Sequence, residues 1–240
     1  MIHFISDLHL SPQSPGVTAL FLNYLDGPAG QVDALYILGD LFDAWVGDDD
    51  LADPYHDGIV AALQRRHAGG LRTFLQHGNR DFLLGRNFAA AAGIVLLPDP
   101  HVLSLPEGQF VLSHGDALCT DDAEYMAFRR QVRDPQWQAA FLARPLSERR
   151  ALAAQMRAAS EANKRSKTAY QMDLNPQETD DFLRAHGYAT FIHGHTHQPA
   201  THAHMVDGIH VERWVLADWH EDRSEVLVWN DATLSRLSLT

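Results

Sequence analysis

The sequence predicts an α/β sandwich with mixed sheets and a helical insertion. Three observations carry this. Over roughly the first hundred residues, short apolar runs alternate with helical patterns, as in βαβ units with parallel strands. From about residue 190 onward, strand patterns follow one another without helices between them, as antiparallel strands do. Between these parts, residues 121–171 are rich in Ala, Arg, Gln and Glu and carry little strand pattern.

Each element follows from its local pattern. Ile2 to Ser6 is an apolar run that meets Asp7, and Val17 to Leu25 places Leu20, Phe21, Tyr24 and Leu25 on one helical face. Ala34 to Leu38 is continuously apolar, as a strand buried on both faces requires. A helix over about 54–67 leads through Gly69-Gly70 to a strand at 73–76. A further helix is predicted over 82–92 and a short strand over 94–96. His101 to Leu105 and Gln109 to Ser113, parted by Pro106-Glu107-Gly108, predict a hairpin. Pro135 and Pro145 divide the insertion into several helices. Later strands are predicted at 190–193, 208–216, 225–229 and 233–239.

Composition bounds the function. The 240 residues are 45% apolar, enough for a packed core, and the formal net charge is −12. Such an acidic chain is a poor general nucleic-acid binder, because that affinity needs Lys and Arg against phosphates. A single cysteine, Cys119, excludes an intrachain disulfide and a Cys-based zinc site, and is expected to be a small buried side chain. The N-terminal MIHFISDLHL lacks the basic and long apolar regions of a signal peptide. The longest apolar stretch, Ala89 to Leu97, is too short to span a bilayer. A soluble protein of a reducing compartment is expected. Histidine is in excess, at 15 residues.

Five segments share one grammar, an apolar run that ends abruptly in Asp, His or Asn, usually beside Gly. They are Asp7-Leu8-His9, Gly39-Asp40, Gly78-Asn79-Arg80-Asp81, Ser113-His114-Gly115-Asp116 and His193-Gly194-His195-Thr196-His197. Ligands of α/β sheets sit beyond the carboxyl ends of strands. Five strand ends can therefore deliver Asp7, His9, Asp40, Asn79, His114, His195 and His197 to one place. Seven ligands exceed one ion and suit two with a shared carboxylate. Carboxylate, amide and imidazole donors favour Mn²⁺, Fe²⁺ or Zn²⁺ over Ca²⁺ or Mg²⁺. Paired ions of this kind serve phosphoryl transfer. Taken singly, each segment is an ordinary polar turn; their joint order, each after a strand, is what is specific.

The ordered set D-x-H, G-D, G-N-[HR]-D, H-G and G-H-x-H resembles the calcineurin-like metallophosphoesterase superfamily. Within it, the stretches ISDLHL, ALYILGDLFDAWVGDDD, HGNRDFLLG, HGDALCTDDAEYMAFR and IHGHTHQPA are most similar to the UDP-2,3-diacylglucosamine diphosphatase family of the lipid A pathway. They include residues that metal binding does not need, such as Trp45 and Phe82-Leu83-Leu84-Gly85. The resemblance covers essentially the whole chain. It implies a four-layer αββα sandwich as a single domain over 1–240, with a helical lid at about 121–171. It implies two Mn²⁺ ions per chain, one held by Asp7, His9 and His197, the other by Asn79, His114 and His195, with Asp40 bridging. It implies hydrolysis of a UDP-linked diacylated glucosamine lipid by metal-hydroxide attack on the α-phosphorus, giving UMP and 2,3-diacylglucosamine 1-phosphate. Asp40, Asn79, Arg80, His114 and His195 would be catalytic. Asn79, Arg80, Asp122, Ser160, Lys164, Lys167 and His195 would contact substrate, with Asp122 meeting sugar or uracil groups. A cytoplasmic enzyme, held peripherally at the inner face of the bacterial inner membrane, is implied. No nucleic-acid or protein partner is inferred.

The insertion has its own charge pattern. From Arg129 to Lys167 it carries ten basic residues against Asp134, Glu148 and Glu161. Tyr125, Phe128, Val132, Trp137, Phe141, Leu152 and Met156 recur at helical spacing. One reading is a solvated basic face over packed apolar residues; the resemblance favours a basic, greasy lid for an anionic lipid. Asp48-Asp49-Asp50 is expected to be a solvated acidic turn. His77 and His193 are expected to be packed, and His202, His204, His210 and His220 carry no assignable spacing. Asp81 and Asp116 either orient neighbouring imidazoles or make turn bonds or salt bridges. The lid and the acidic body argue against a nuclease or phosphoprotein phosphatase on the same core, and the complete ligand set against a non-catalytic scaffold.

Overall fold

The computed structural model describes residues 1–164 and 173–240, with the side chains of 161–164 outside the description. The elements in chain order are β1 (Ile2–Ile5), α1 (Pro15–Asp26), β2 (Ala34–Leu38), α2 (Pro54–Ala68), β3 (Arg72–Gln76), α3 (Arg86–Ala92), β4 (Ile94–Leu96), β5 (His101–Leu105) and β6 (Gly108–Ser113). Then come α4 (Ala123–Val132), α5 (Pro135–Leu142), α6 (Leu146–Lys164), α7 (Pro176–Ala185), β7 (Thr190–His193), β8 (Ala200–Val206), β9 (Ile209–Val215), β10 (Glu225–Asn230) and β11 (Thr233–Ser238).

Two sheets stack face to face. One has the order β11-β10-β1-β2-β3-β4 and the other β5-β6-β7-β9-β8. The strand period of two sorts each strand's side chains between layers. On β2, Ala34, Tyr36 and Leu38 face the inter-sheet core with Phe4, Phe110, Leu112 and Ile192. Leu35 and Ile37 point the other way, into the layer that holds Phe21, Leu25, Leu63 and Phe88 of α1–α3. On the second sheet, Val111 and Phe191 pack outward against Leu183 of α7. The layers are therefore helix, sheet, sheet, helix, the four-layer αββα sandwich that the resemblance implies.

The parallel strands set the site. β1, β2, β3 and β4 run parallel in the first sheet, and β6, β7 and β9 in the second. The carboxyl ends of β1, β2, β3, β6 and β7 lead into the five segments singled out in the sequence. Helices α4, α5 and α6 lie between β6 and α7, so the cap enters the chain at one strand end beside the site.

Three expectations are corrected. The helix predicted over 82–92 starts only at Arg86, because Phe82 to Gly85 form a turn. The backbone N–H groups of Gly85, Asn87 and Phe88 donate to the Asp48 carboxylate at 2.9, 2.9 and 3.1 Å. That is a helix N-cap supplied from a distant loop. Next, Asp48-Asp49-Asp50 is not a solvated turn. Beyond this cap, Asp49 pairs with Arg149 and Asp50 with Arg150. Finally, strand β8 was not predicted. Its half-buried positions Ala200, His202 and His204 alternate with exposed Thr201, Ala203 and Met205, so no apolar face marks it. The Asp207-Gly208 turn, with both residues at positive φ, was the available signal for the β8–β9 hairpin.

One carboxylate holds two site loops together. Asp81 is fully buried and accepts the backbone N–H of Gly78 and of Leu41, each at 2.8 Å, and that of Asp40 at 3.3 Å. It thus makes the turn bonds that are one of its two expected roles. Asp81→Ala is expected to leave those donors unsatisfied and to cost about 3 kcal/mol. The midpoint of thermal unfolding should fall by about 6–12 °C. Calorimetry showing an unchanged midpoint would remove Asp81 from this role.

Candidate metal centre and substrate cavity

The strand-end turns that carry the site are strained. Asp7, His9, Asp40, His195 and His197 all have positive φ, between 48° and 69°. Non-glycine residues rarely adopt this region, and each costs of order 1–3 kcal/mol. Glycines at two neighbouring positions allow the close approach. A Cβ on Gly78 would stand 2.1 Å from Asp40 Oδ1, and one on Gly194 would stand 2.3 Å from Asp7 Oδ2.

The structure brings all seven proposed ligands together. Asp7 is buried, and its Oδ2 accepts Ser6 Oγ at 2.6 Å and the His195 backbone N–H at 2.9 Å. Its Oδ1 is buried without a hydrogen bond, 3.4 Å from His197 Nε2. His9 Nε2 stands 3.3 Å from His197 Nε2. Asp40 Oδ1 accepts the Arg80 backbone N–H at 2.8 Å. Asp40 Oδ2 lies 3.8 Å from both His9 Nδ1 and His114 Nε2. Asn79 Oδ1 faces His114 Nε2 at 3.0 Å and His195 Nδ1 at 2.9 Å. Among the described residues, two groups have donor atoms within 4.8 Å of one another: Asp7, His9 and His197, and Asp7, Asp40 and His114.

This donor set fits divalent cations. A carboxylate oxygen with no partner, imidazole nitrogens at 3.3 Å and an amide oxygen converge in a buried space. Neighbours aim the ligands. His114 Nδ1 bonds the Leu38 carbonyl at 2.8 Å, which leaves Nε2 for the centre. His197 Nδ1 lies 3.2 Å from Asp218 Oδ2. Asp218 in turn takes His220 Nε2 at 2.7 Å and Arg223 Nη2 at 2.8 Å. Sequence reasoning missed Asp218. It follows β9 at the end of the run Val215-Leu216-Ala217, so it obeys the strand-end grammar without a neighbouring Gly. His220 acquires a role through it.

The other marked residues resolve as follows. Buried Asp116 accepts Tyr125 Oη at 2.7 Å and Arg129 Nε at 2.8 Å, a salt bridge to the cap. His77 Nε2 bonds the Leu84 carbonyl, and His193 Nε2 meets Arg213 Nη1 at 3.1 Å, so both are packed. Cys119 is buried. Arg80, Asp122 and Ser160 line one cavity with His9, Asp40 and His195. Asp122 also caps α4 by accepting the Tyr125 N–H at 3.0 Å. The Lys164 side chain and all of Lys167 lie outside the described residues.

That cavity measures about 680 Å³ and has two kinds of lining. The polar lining includes the carboxylate–imidazole cluster. The apolar lining includes Trp45, Phe82, Leu83, Phe128, Phe141 and Met156. Cap helices α4, α5 and α6 supply the last three of these. Among the described residues, ion pairs moor the cap. Arg149 is buried and bonds Asp49 and the Val46 carbonyl; Arg150 pairs with Asp50 and Asp53, and Arg157 with Asp43.

Electrostatics prepare the cluster for cations. Burial pushes Asp40 up to about 7, with Asp81 and Asp7 adding to the shift. Burial opposes charge on His114, yet Asp40, Asp7 and Asp116 outweigh it and hold its pKa at about 9. Burial likewise opposes charge on His197, but Asp218 and Asp7 hold it at about 10. Burial, then His114, lowers His195 to about 3. These shifts favour protonated His114 and His197, and a partly protonated Asp40, in the metal-free centre near pH 7. Metal binding requires all three deprotonated, so it should release protons, with affinity rising as pH rises. Calorimetric titration of Mn²⁺ in buffers of different ionisation enthalpy checks this; binding without proton release contradicts it.

Comparison with known proteins places the chain. The family model described as "Calcineurin-like phosphoesterase" matches residues 1–199. The chain is 51% identical over 229 residues to a UDP-2,3-diacylglucosamine hydrolase of Aromatoleum aromaticum, covering 95% of this chain and 93% of that one. It is 47% identical to proteins of the same name from Chromohalobacter salexigens, covering 95% and 93% of the two chains, and from Chromobacterium violaceum, covering 99% and 98%. The strand-end cluster, the αββα layers and these matches agree: the chain belongs to the UDP-2,3-diacylglucosamine hydrolase family of the calcineurin-like phosphoesterases.

Proposed function

We propose that this chain hydrolyses the diphosphate of UDP-2,3-diacylglucosamine, releasing UMP and 2,3-diacylglucosamine 1-phosphate in lipid A synthesis. The observation that carries this is one cavity lined by both the carboxylate–imidazole cluster and large apolar side chains. A buried carboxylate–imidazole cluster suits a diphosphate only with cations, and the apolar lining suits acyl chains. Relatives at 45–51% identity carry the matching name.

The ions would be two Mn²⁺. Asp7, His9 and His197 would hold one, and Asn79, His114 and His195 the other. Asp40 would serve both, a role supported by its Oδ2 lying equally far from His9 and His114. Bound there, the ions supply Lewis-acid charge for the phosphate oxygens and lower the pKa of water. The protein's own side chains do the rest. Arg80, on the cavity wall beside Asn79, offers its guanidinium fork to the diphosphate. Asp122 and Ser160 face the same space and meet sugar or uracil groups, with Lys164 and Lys167 as further substrate contacts. Cap residues Tyr125, Phe128, Phe141 and Met156 line the same cavity as the cluster. The bond broken joins the α-phosphorus to the bridging oxygen, so the nucleotide leaves as UMP.

The chain acts as one domain over 1–240, with its helical cap at about 121–171; of that span, 165–171 lies outside the described residues. It works in the cytoplasm, peripherally at the inner face of the bacterial inner membrane, because its substrate's chains reside in a bilayer. No helix among the described residues is long and apolar enough to cross a membrane.

The direct assay supplies the purified protein with UDP-2,3-diacylglucosamine and Mn²⁺ and follows nucleotide release. UMP is expected. Release of UDP, or brisk cleavage of simple phosphomonoesters without UMP, contradicts the assignment. Asp40→Ala is expected to lower kcat about a thousand-fold, the loss of several kcal/mol of charge stabilisation, with circular dichroism unchanged. Full turnover would remove Asp40 from the centre.

A further inference from the structure

Helix α4 meets the metal centre with one face. Tyr125, Arg129 and Arg133 follow one another at spacings of four, from the first turn of α4 to the residue that ends it. They gather around one oxygen of Asp116, which is fully buried. Tyr125 Oη donates to Asp116 Oδ2 at 2.7 Å, Arg129 Nε donates to it at 2.8 Å, and Arg133 Nη2 lies 3.9 Å from it. A buried ion pair is often no more stabilising than apolar packing of similar volume, so packing alone does not account for this cluster. The same face also touches three ligand segments. Asp116 lies two residues beyond His114. The Tyr125 ring lies against the His195 ring, with centroids 5.6 Å apart at 33°. Arg133 Nη2 donates to the Gly78 carbonyl at 2.9 Å, directly before Asn79, and its guanidinium sits over the Phe82 ring at 5.5 Å.

We propose that Tyr125, Arg129 and Arg133 are positioning residues for one metal site only: α4 sets the affinity of the ion assigned to Asn79, His114 and His195. The proposal rests on the two-ion reading given above. The grouping supports it, because the three segments that α4 touches carry the three ligands of that single ion. Their donor atoms already meet, with Asn79 Oδ1 at 3.0 Å from His114 Nε2 and 2.9 Å from His195 Nδ1. Ligands aimed in advance lose less freedom when an ion arrives. The other ion's ligands are aimed from the body, Asp7 by Ser6 and the His195 N–H and His197 by Asp218.

The test counts bound Mn²⁺ on the full-length protein by paramagnetic resonance of the free ion, apart from turnover. The unaltered protein should bind two ions. Arg129→Ala and Arg133→Ala should each weaken one ion about ten- to a hundred-fold and leave the other unchanged. Arg129→Lys should recover part of that loss. Removing one site at a time shows which ion responds. Beside Asn79→Ala, Arg129→Ala should not alter the remaining ion; beside His9→Ala, it should keep its full effect. Arg150→Ala, which loosens the cap at Asp50 and Asp53, should leave both affinities as they are. Equal loss at both sites, loss at neither, the same loss from Arg150→Ala, or a single ion in the unaltered protein overturns the proposal. UMP release is followed separately: two ions with selective loss, in a protein that releases no UMP, would overturn the proposed function and leave the positioning role standing.

Discussion

The rest of the structure answers to one constraint, the burial of two carboxylates, Asp7 and Asp40, within 4.8 Å of each other's donor atoms. Two buried like charges repel, and each loses hydration. The surroundings offset this in layers. Asp7 gains a hydroxyl and a backbone N–H on one oxygen. His114 lies against the pair, which favours its protonated form, and Asp218 together with Asp7 favours that of His197. The left-handed turns and the Cβ-free approaches at Gly78 and Gly194 exist because these groups must crowd one point. Divalent ions resolve the repulsion by inverting the local charge, which lets an acidic surface receive a phosphate.

The same logic extends to the cap. Its basic residues look in sequence like a surface for anionic lipid, yet many meet carboxylates of the body. Arg149, Arg150 and Arg157 on α6 bind Asp49, Asp50, Asp53 and Asp43, in the loop that follows Asp40. Arg129 of α4 binds Asp116, just after the ligand His114. The cap is therefore fastened to the loops that carry the centre. Its apolar faces are left to wall the chamber. Acid triplet and basic insertion are two halves of one interface, which explains why the acidic body and basic segment occur together.

Much of this was legible in sequence. Apolar runs ending in Asp, His or Asn located five strand ends, because a ligand turn interrupts a strand abruptly. The αβα pattern of the first half followed from period alone. What escaped depends on partners far along the chain. Asp48 caps α3 from 37 residues away, so the start of that helix carries no local mark. Arg149 and Asp49 are a hundred residues apart. Asp218 needed β9's end to be placed beside His197 before its role was visible. Strand β8 keeps His and Thr where an apolar stripe would announce it.

The central claim is that the buried carboxylate–imidazole cluster is a two-metal centre built around Asp40. A crystal structure of the Mn²⁺-loaded protein, with anomalous data at the manganese edge, addresses it most directly. The expected map shows two peaks about 3.5–4 Å apart, with Asp40 in contact with both. A single peak, or two peaks neither of which Asp40 touches, would contradict the account.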